Sequence, residues 1–230
     1  MQLPEVMHEL EAAGSAQFRK IYAKHGVVDE MFGVSTPTLK ALTRKIKQDH
    51  PLAQELWATG NYDARALATM IADPQNVTWE QAEQWVRDVK DYGTASYVAE
   101  MLSKTPFARE IAEQWSKSDE EYRGRVGWHV LARLVAKDTA LPDTYFESYL
   151  ATIEREIHEQ KNRKREAMNG AVIAIGSRGG ELQEKALLTA KNVGKVYIDH
   201  GDTGCKTPDA SEYILKTVAR KQPVKQVVGK

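Results

Sequence analysis

Four cations lie close together just before an apolar segment in the C-terminal half of the chain: Lys161, Arg163, Lys164 and Arg165. The apolar run ends at the glycine-rich stretch 176–180, so the pattern predicts a helix with a cationic start and a glycine stop. Such a cluster can neutralise several phosphates of a nucleic acid, and each released counterion adds affinity that falls with salt. The alternative is a solvated helix start whose cations pair with neighbouring glutamates such as Glu166.

A polar loop after the next helix, residues 198–209, contains the last histidine and the one cysteine of the chain. Its candidate ligand-binding side chains are Asp199, His200, Asp202, Cys205 and Lys206. Histidine and cysteine could act in acid–base or nucleophilic chemistry, but their spacing here matches no zinc pattern, which usually pairs these residues at short intervals. We therefore expect no metal site. Two alternatives stay open: a loop that contacts a ligand or DNA, and a loop that closes the end of the fold.

Helix signals dominate the rest of the chain. Apolar residues at helical spacing, separated by capping residues, prolines and glycines, predict antiparallel helix pairs from Pro4 onward. Three second helices carry an arginine at the start of an apolar run: Arg65, Arg125 and Arg165. Another hairpin, which begins at Tyr92, lies between the helices of Arg65 and Arg125. The spacing from one second helix to the next is therefore about 30 to 40 residues, as in HEAT-like repeats. The sequence therefore predicts an all-α, HEAT-like superhelix of about six helical hairpins that bury their apolar faces by stacking.

The second helices of such a solenoid commonly line its concave wall. That wall would present Arg65, Arg125 and Arg165 to a polyanion, unless these arginines form buried hydrogen bonds between repeats. Strand signals are confined to residues 195–198, which alternate and include β-branched positions. Such sparse strand signals favour an all-α fold over a mixed one. We expect residues 1–230 to form a single domain.

The overall charge is balanced, because lysine plus arginine and aspartate plus glutamate both number 32. Any nucleic-acid site must come from local clustering. Residues 216–230 have five cations and no acid, which predicts a flexible basic tail, either an arm that reaches a phosphate backbone or a frayed end. One cysteine excludes an internal disulfide, the first residues lack a signal-peptide pattern, and no apolar run reaches the roughly 18 residues of a membrane span. We expect a cytoplasmic protein with no membrane partner.

Three segments make the chain resemble the DNA alkylation repair family of HEAT-like-repeat proteins, whose best-known members are alkylpurine DNA glycosylases. The segments are the helix start at 33–39, residues 115–118 with Arg123 and Arg125, and residues 165–168 with the helix that they begin. The likeness covers most of the chain. It implies a monomer that needs no cofactor and binds damaged or distorted duplex DNA in a concave groove through cationic residues: Arg65, Arg125, Lys161, Arg163, Lys164 and Arg165.

The resemblance also gives two candidate catalytic positions, Tyr92 and Ser96. Active glycosylases of the family carry the segment Trp-Asp-Thr-Val-Asp, whose last aspartate is thought to stabilise the cationic sugar left by the departing base. Here Tyr92 replaces the tryptophan, and Ser96, a neutral hydroxyl that cannot supply this charge, stands where the aspartate would be. A second aromatic of the family falls near Gly170. Four functions stay open: excision of alkylated bases by a variant mechanism, DNA binding without excision, a scaffold for a protein or peptide partner, and a separate enzymatic site at His200 and Cys205.

Overall fold

The computed structural model describes residues 1–221, and this part of the chain forms thirteen α-helices, one short 3-10 helix and no β-strand. The helices in chain order are α1 (Leu3–Ala12), α2 (Ala16–Lys24), α3 (Thr36–Ile46), α4 (His50–Ala58), α5 (Tyr62–Ile71), α6 (Trp79–Arg87), α7 (Tyr92–Leu102), α8 (Ala108–Trp115), α9 (Glu121–Lys137), α10 (Asp143–Glu156), the 3-10 turn Ile157–Glu159, α11 (Asn162–Gly176), α12 (Gly180–Val193) and α13 (Ala210–Lys221). The prediction of an all-α, HEAT-like fold is confirmed.

Six helices pack side by side in one continuous row, each against the next: α3, α5, α7, α9, α11 and α13. Their buried faces are rich in small and branched apolar residues, and one hydrophobic core runs from Val6 to Ile214. Small residues let the helix backbones approach closely, and the most extensive helix contact among the described residues is that of α9 with α11 in this row. The row corresponds to the second helices of the predicted hairpins.

The first helices of the hairpins form a second row, which is joined largely through aromatic side chains. Trp57 of α4 stacks on Trp85 of α6 with ring centroids 4.5 Å apart, and Trp79 of α6 meets Trp115 of α8 edge-on at 5.9 Å. Large rings fill the wider spaces between these helices and bury much apolar area. This aromatic packing between the first helices therefore helps to fix the spacing of the second helices that pack against them.

Side-chain caps determine where the second helices begin. Asn61 accepts hydrogen bonds from the backbone of Asp63 and Ala64 at the start of α5, and the Asp91 carboxylate accepts the Thr94 N–H, 2.8 Å away, at the start of α7. Each cap satisfies backbone donors that the helix itself leaves free. Because alternate helices of a hairpin array run parallel, these starts lie along one edge of the row.

One acidic side chain ties the N-terminal region to this row. Asp63 is fully buried and accepts hydrogen bonds from the backbone N–H groups of Phe32, Gly33 and Val34, at 2.7, 2.9 and 2.9 Å. A buried carboxylate needs several donors to offset its loss of hydration. The loop before α3 is therefore anchored to the first turn of α5.

Residues 195–198, where the strand signals of the sequence are confined, form no strand. The segment is irregular, and no strand exists within residues 1–221 for it to pair with. Its polar backbone is satisfied in another way, because the Tyr197 carbonyl accepts a hydrogen bond from Arg165 Nη1 at 3.0 Å. A lone extended segment gains no ladder hydrogen bonds, so β-propensity here produced a connecting segment instead.

The first part of the predicted basic tail, residues 216–221, is helical. Residues 216–221 complete α13, and Lys221 Nζ donates to the Ser177 carbonyl at 2.8 Å. The rest of the predicted tail, 222–230, lies outside the described residues. Among residues 1–221, no helix is both long and apolar enough to cross a membrane.

Glu100 of α7 gives the fold a modest acid sensitivity. Burial raises the pKa of this carboxyl, but hydrogen bonds from Arg133 and Lys104 outweigh that effect and leave it at about 2, below the ordinary value of 4.5. The contribution to stability is therefore present above pH 4.5 and is lost as pH falls towards 2. We expect Glu100→Gln to lower the free energy of unfolding by less than about 1 kcal/mol at pH 7, because the carboxyl is partly exposed, and by almost nothing at pH 2.

Urea unfolding of the Glu100→Gln variant at both pH values checks this expectation. Glu110→Gln, an exposed change of the same kind on α8, is the matched control. A Glu100→Gln effect that stays constant down to pH 2 would contradict the assignment.

Candidate nucleic-acid interface

Tyr92, the first residue of α7, lies at the centre of a cluster of cationic and aromatic groups. The Arg163 guanidinium carbon stands 4.2 Å from the centroid of its ring, and that of Arg125 stands at 5.4 Å. The tyrosine hydroxyl is paired with Nδ1 of His25, which follows α2. These four residues, together with Glu166, are called here the Tyr92 cluster. Burial raises the pKa of the Tyr92 hydroxyl, so the tyrosine is a neutral platform and not an activated nucleophile.

Arg125 is held inside the Tyr92 cluster. Its Nη1 donates to Glu166 Oε2 at 2.7 Å and to the Arg163 carbonyl at 3.0 Å, and only 4% of the residue is exposed. Burial lowers its pKa, but the Glu166 carboxylate opposes this shift. Arg125 therefore positions Tyr92 and Glu166 rather than standing in solvent, which fits the alternative of buried hydrogen bonding between repeats.

Arg163 shares Glu166 with Arg125 but is less deeply buried. Its Nη1 lies 3.3 Å from Glu166 Oε2, and 15% of its side chain is exposed. One carboxylate thus stands between two guanidinium groups, so the Tyr92 cluster keeps a net positive charge. Of the two arginines, Arg163 is the one that an incoming anion can reach.

The four cations at the start of α11 divide between two environments. Lys161 is exposed, and its Nζ donates to the Asp119 carbonyl at 2.9 Å. Lys164 is 4% exposed, its Nζ donates to the Ser118 carbonyl at 2.8 Å, and burial lowers its pKa. Arg165 donates to the Gln160 and Tyr197 carbonyls at 2.7 and 3.0 Å. Residues one position apart point about 100° apart on a helix, so the cluster in sequence is not a cluster in space.

Arg65 is buried in the protein interior. Its Nη1 donates to Asp29 Oδ2 at 2.8 Å, the guanidinium lies 5.1 Å from the Trp57 ring centroid, and the residue is 9% exposed. These contacts join α4 and α5 to the segment after α2. They too fit the alternative of buried hydrogen bonding, and the DNA contact predicted for Arg65 stays a prediction without support from its position.

The loop 198–209 crosses from α11 to the region of α2. Asn162 fixes its beginning through two hydrogen bonds of 2.8 Å with the backbone of Asp199, and Asn169 Nδ2 donates to the Pro208 carbonyl at 3.0 Å. Between these anchors Gly201 passes near Lys24, the last residue of α2, because a Cβ added at Gly201 would stand 4.0 Å from the Lys24 carbonyl oxygen. The loop therefore forms a wall beside the Tyr92 cluster.

The candidate side chains of the loop differ in their surroundings. Asp199 Oδ1 accepts the Gly201 N–H at 2.8 Å, and His200 Nε2 lies 3.1 Å from Thr207 Oγ1. Four of the candidates are exposed: Asp199, Asp202, Cys205 and Lys206. Within residues 1–221, no three histidine, cysteine, aspartate or glutamate side chains come together to hold a metal ion. The loop brings a thiol and a cation to the site without forming a metal centre.

Ser96 offers no charge to the site. Its Oγ donates to the Tyr92 carbonyl at 2.8 Å, one turn back on α7. On α11 the position of Gly170 faces open space, with no atom within 4 Å of where a Cβ would stand. The Glu166 carboxylate is close enough to act on the pKa of the Tyr92 hydroxyl, and the two arginines already engage it. The described residues near Tyr92 are thus suited to binding an anion and to holding one another in place. They include no carboxylate that lacks a hydrogen-bond or ion-pair partner.

Three participants in the site carry no local sequence signal. His25 is 67 positions from Tyr92, and Asn162 and Asn169 meet the loop 37 and 39 positions away. Only the packing of α2 and α11 brings these pairs together. The pairing of Glu166 with the cations, in contrast, follows from its spacing of three residues from Arg163.

Comparison with known proteins gives consistent matches over nearly the whole chain. The family model described as DNA alkylation repair enzyme matches residues 6–214. The chain is 33% identical over 214 residues to the uncharacterized protein Lin0241 of Listeria innocua serovar 6a, and 32% identical over 214 residues to the uncharacterized protein Lmo0209 of Listeria monocytogenes serovar 1/2a. Each match covers 90% of this chain and 93% of the relative.

A solved structure is also similar in fold and sequence. It is described as a member of a new family of proteins related to the HEAT-like repeat DNA glycosylases with affinity for branched DNA structures. It matches with a TM-score of 0.89 and 33% identity, over 96% of this chain and 95% of that chain. Taken with the helical rows and the match over residues 6–214, these similarities show that the chain belongs to the DNA alkylation repair family and has the HEAT-like fold of its glycosylase-related members.

Proposed function

We propose that this protein binds branched or distorted duplex DNA at the edge of the helix row where Tyr92 lies, and that it does so without excising bases. The observation that carries the proposal is the composition of the Tyr92 cluster: two guanidinium groups flank an aromatic ring, while Ser96, at the position of the expected aspartate, is bonded to its own helix. Such a site attracts phosphates and supports no developing sugar cation. The branched-DNA affinity stated for the similar solved structure supports the same choice of substrate.

The starts of α7, α9 and α11 supply the geometry for the proposed contact. Their first turns bring the Tyr92 ring together with the guanidinium groups of Arg125 and Arg163. The attraction for phosphate comes from these side chains, because the Asp91 and Glu121 carboxylates already accept backbone N–H groups at the starts of α7 and α11. Lys161 and Arg163 add charge at the start of α11. A duplex with a branch offers two backbones that converge, so more phosphates come within reach of a compact cationic edge than on a straight duplex.

A binding comparison tests the proposal. Fluorescence anisotropy of a labelled three-way junction and of a linear duplex with the same base composition is expected to give a Kd at least about tenfold lower for the junction, at one fixed salt concentration. Equal affinity for both would contradict recognition of branched DNA. Absence of binding to either, even at about 50 mM salt, would contradict DNA binding altogether.

We expect no base release from alkylated DNA. With a duplex that carries 7-methylguanine, the rate of release with the protein should stay within about twofold of the spontaneous rate, because removing an electrostatic group from such a site typically costs a factor of about 100 to 1000. Ser96→Asp alone should remain inactive, since the open space at Gly170 on α11 contains no aromatic side chain. An active alkylpurine glycosylase serves as the positive control. Release by the wild-type protein well above the spontaneous rate would overturn this part of the proposal.

A further inference from the structure

A cavity lies on the other side of the loop from the Tyr92 cluster. It is enclosed by α11, α12, the start of α13 and the loop 198–209, and its volume is about 780 Å³. Ligand sites typically measure about 300 to 1,000 Å³, so this space is large enough for a small molecule. None of the functions considered so far uses it.

The cavity has an apolar floor. Val172 of α11, Ala190 of α12 and Val196 all line it, and each is at most 9% exposed. A floor of short aliphatic side chains fits a flat apolar or aromatic ring, which gains by leaving water. The floor alone does not distinguish one planar ligand from another.

The rim supplies positive charge. Lys191, Lys195 and Lys206 line the opening, and within residues 1–221 none of the three has an ion-pair partner. Lys195 Nζ lies 4.7 Å from the ring centroid of Tyr197, which keeps it at the opening. Asp209, whose carboxylate accepts the Glu212 N–H, is the one acid among the lining residues. The three lysines therefore leave the opening cationic, which suits a ligand that joins a planar ring to an anionic group.

A buried amide faces the same space. Asn169 lines the cavity and is 4% exposed, and its Nδ2 donates to the Pro208 carbonyl at 3.0 Å. Because only the amide nitrogen can donate to a carbonyl, the orientation of the side chain is fixed. Its oxygen receives no hydrogen bond from residues 1–221, so it is free to accept one from the N–H edge of a ligand ring.

We propose that this cavity binds a nucleotide: the nucleobase against the aliphatic floor, its N–H edge towards Asn169 and its phosphate at the lysine rim. The nucleotide is either an unpaired residue of bound DNA, which rests on the proposed function, or a free mononucleotide, which does not. The loop 198–209 borders both the cavity and the Tyr92 cluster, because Cys205 lines the cavity and is close enough to Tyr92 to influence the pKa of its hydroxyl. An unpaired nucleotide at a DNA branch would thus enter beside the Tyr92 cluster.

The test uses 2-aminopurine, a fluorescent adenine analogue, in two arms. In the first arm, free 2-aminopurine deoxynucleoside monophosphate is titrated with the protein. In the second, the same base stands unpaired at a three-way junction, and anisotropy of a separate label on the same junction reports DNA binding independently. We expect a change in base fluorescence in at least one arm. A change only at the junction identifies the DNA as the source, and a change with the free nucleotide identifies the mononucleotide.

The matched variants are Ala190→Trp, which fills the cavity, and Leu188→Trp, which places the same ring on the exposed side of α12, where Leu188 is 59% exposed. Ala190→Trp should abolish the 2-aminopurine signal, while Leu188→Trp should retain it. If Ala190→Trp still binds the labelled junction, as measured by anisotropy, then DNA binding does not require the cavity. No base signal in either arm, or a signal unchanged in a folded Ala190→Trp protein, would overturn the proposal.

A charge variant covers the case in which Ala190→Trp does not fold, as judged by circular dichroism. Lys195→Gln with Lys206→Gln should weaken free-nucleotide binding, or the 2-aminopurine signal at the junction, at least about fivefold, since each lysine contacts the phosphate as a charge-assisted donor. Lys40→Gln with Arg44→Gln removes the same charge from exposed positions of α3 and should change neither. Equal effects of the two pairs would assign the signal to general electrostatics and reject the cavity.

Discussion

Replacing Asp63 with alanine is expected to lower the free energy of unfolding by about 3 to 4 kcal/mol, because three buried backbone N–H groups lose their acceptor at once. The donors are those of Phe32, Gly33 and Val34. The loop cannot easily turn them towards other acceptors: Gly33 has φ of 79°, and its backbone lies against Ser15 and Arg19 with no room for a Cβ. The loss is large because the anchor joins the N-terminal region to the helix row.

Urea unfolding followed by tryptophan fluorescence measures this effect. Glu30→Ala removes an exposed carboxylate from the same region and should change stability by less than about 0.5 kcal/mol, as ordinary surface substitutions do. Asp63→Asn should fall between the two, since it keeps one acceptor oxygen. If Asp63→Ala unfolded at the same urea concentration as the Glu30 variant, the anchoring role would be wrong.

Removing both reachable cations at the start of α11 is expected to have the largest effect on DNA affinity. Lys161→Gln with Arg163→Gln should raise the junction Kd about tenfold or more at about 0.1 M salt, and it should reduce the slope of log K against log salt by about 2, one for each phosphate that is no longer neutralised. Arg163 also touches Tyr92 and Glu166, so unfolding midpoints of the variant are compared with the wild type. Anisotropy titrations over a series of salt concentrations provide the slopes.

The control for this pair is again Lys40→Gln with Arg44→Gln. It makes the same change in net charge on α3, which contributes no residue to the Tyr92 cluster. A similar loss of affinity in both double variants would mean that DNA responds only to total charge. A normal slope in the α11 variant would place the phosphates elsewhere on the protein.

Much of the fold could be predicted from the sequence because its signals are local. The Ser35 cap with Pro37 in the first turn marks α3, and the HEAT-like period follows from arginines that begin successive second helices. The isolated strand signal at 195–198 produces no strand, because β-propensity describes a half-buried pleated surface and residues 1–221 offer no second strand.

The candidate site was less accessible to sequence reasoning. The sequence leaves open whether Arg65 and Arg125 face a polyanion or form buried hydrogen bonds, and it predicts a phosphate contact for Lys164. The three residues are 9%, 4% and 4% exposed. Charge patterns do not reveal burial when a distant acceptor, such as Asp29 or the Ser118 carbonyl, satisfies the cation. The contact of His25 with Tyr92 depends wholly on tertiary packing.

The one cysteine of the chain provides the most direct measurement of where DNA binds. Cys205 is exposed on the loop beside the Tyr92 cluster, so its rate of alkylation by a maleimide reports access to this edge. With the junction at saturation by anisotropy, we predict that alkylation slows at least about fivefold, whereas a control thiol, Lys40→Cys in a Cys205→Ser background, reacts at its free rate. This outcome follows if the DNA covers the starts of α7, α9 and α11. An unchanged rate at Cys205 under saturating junction would contradict the proposed interface.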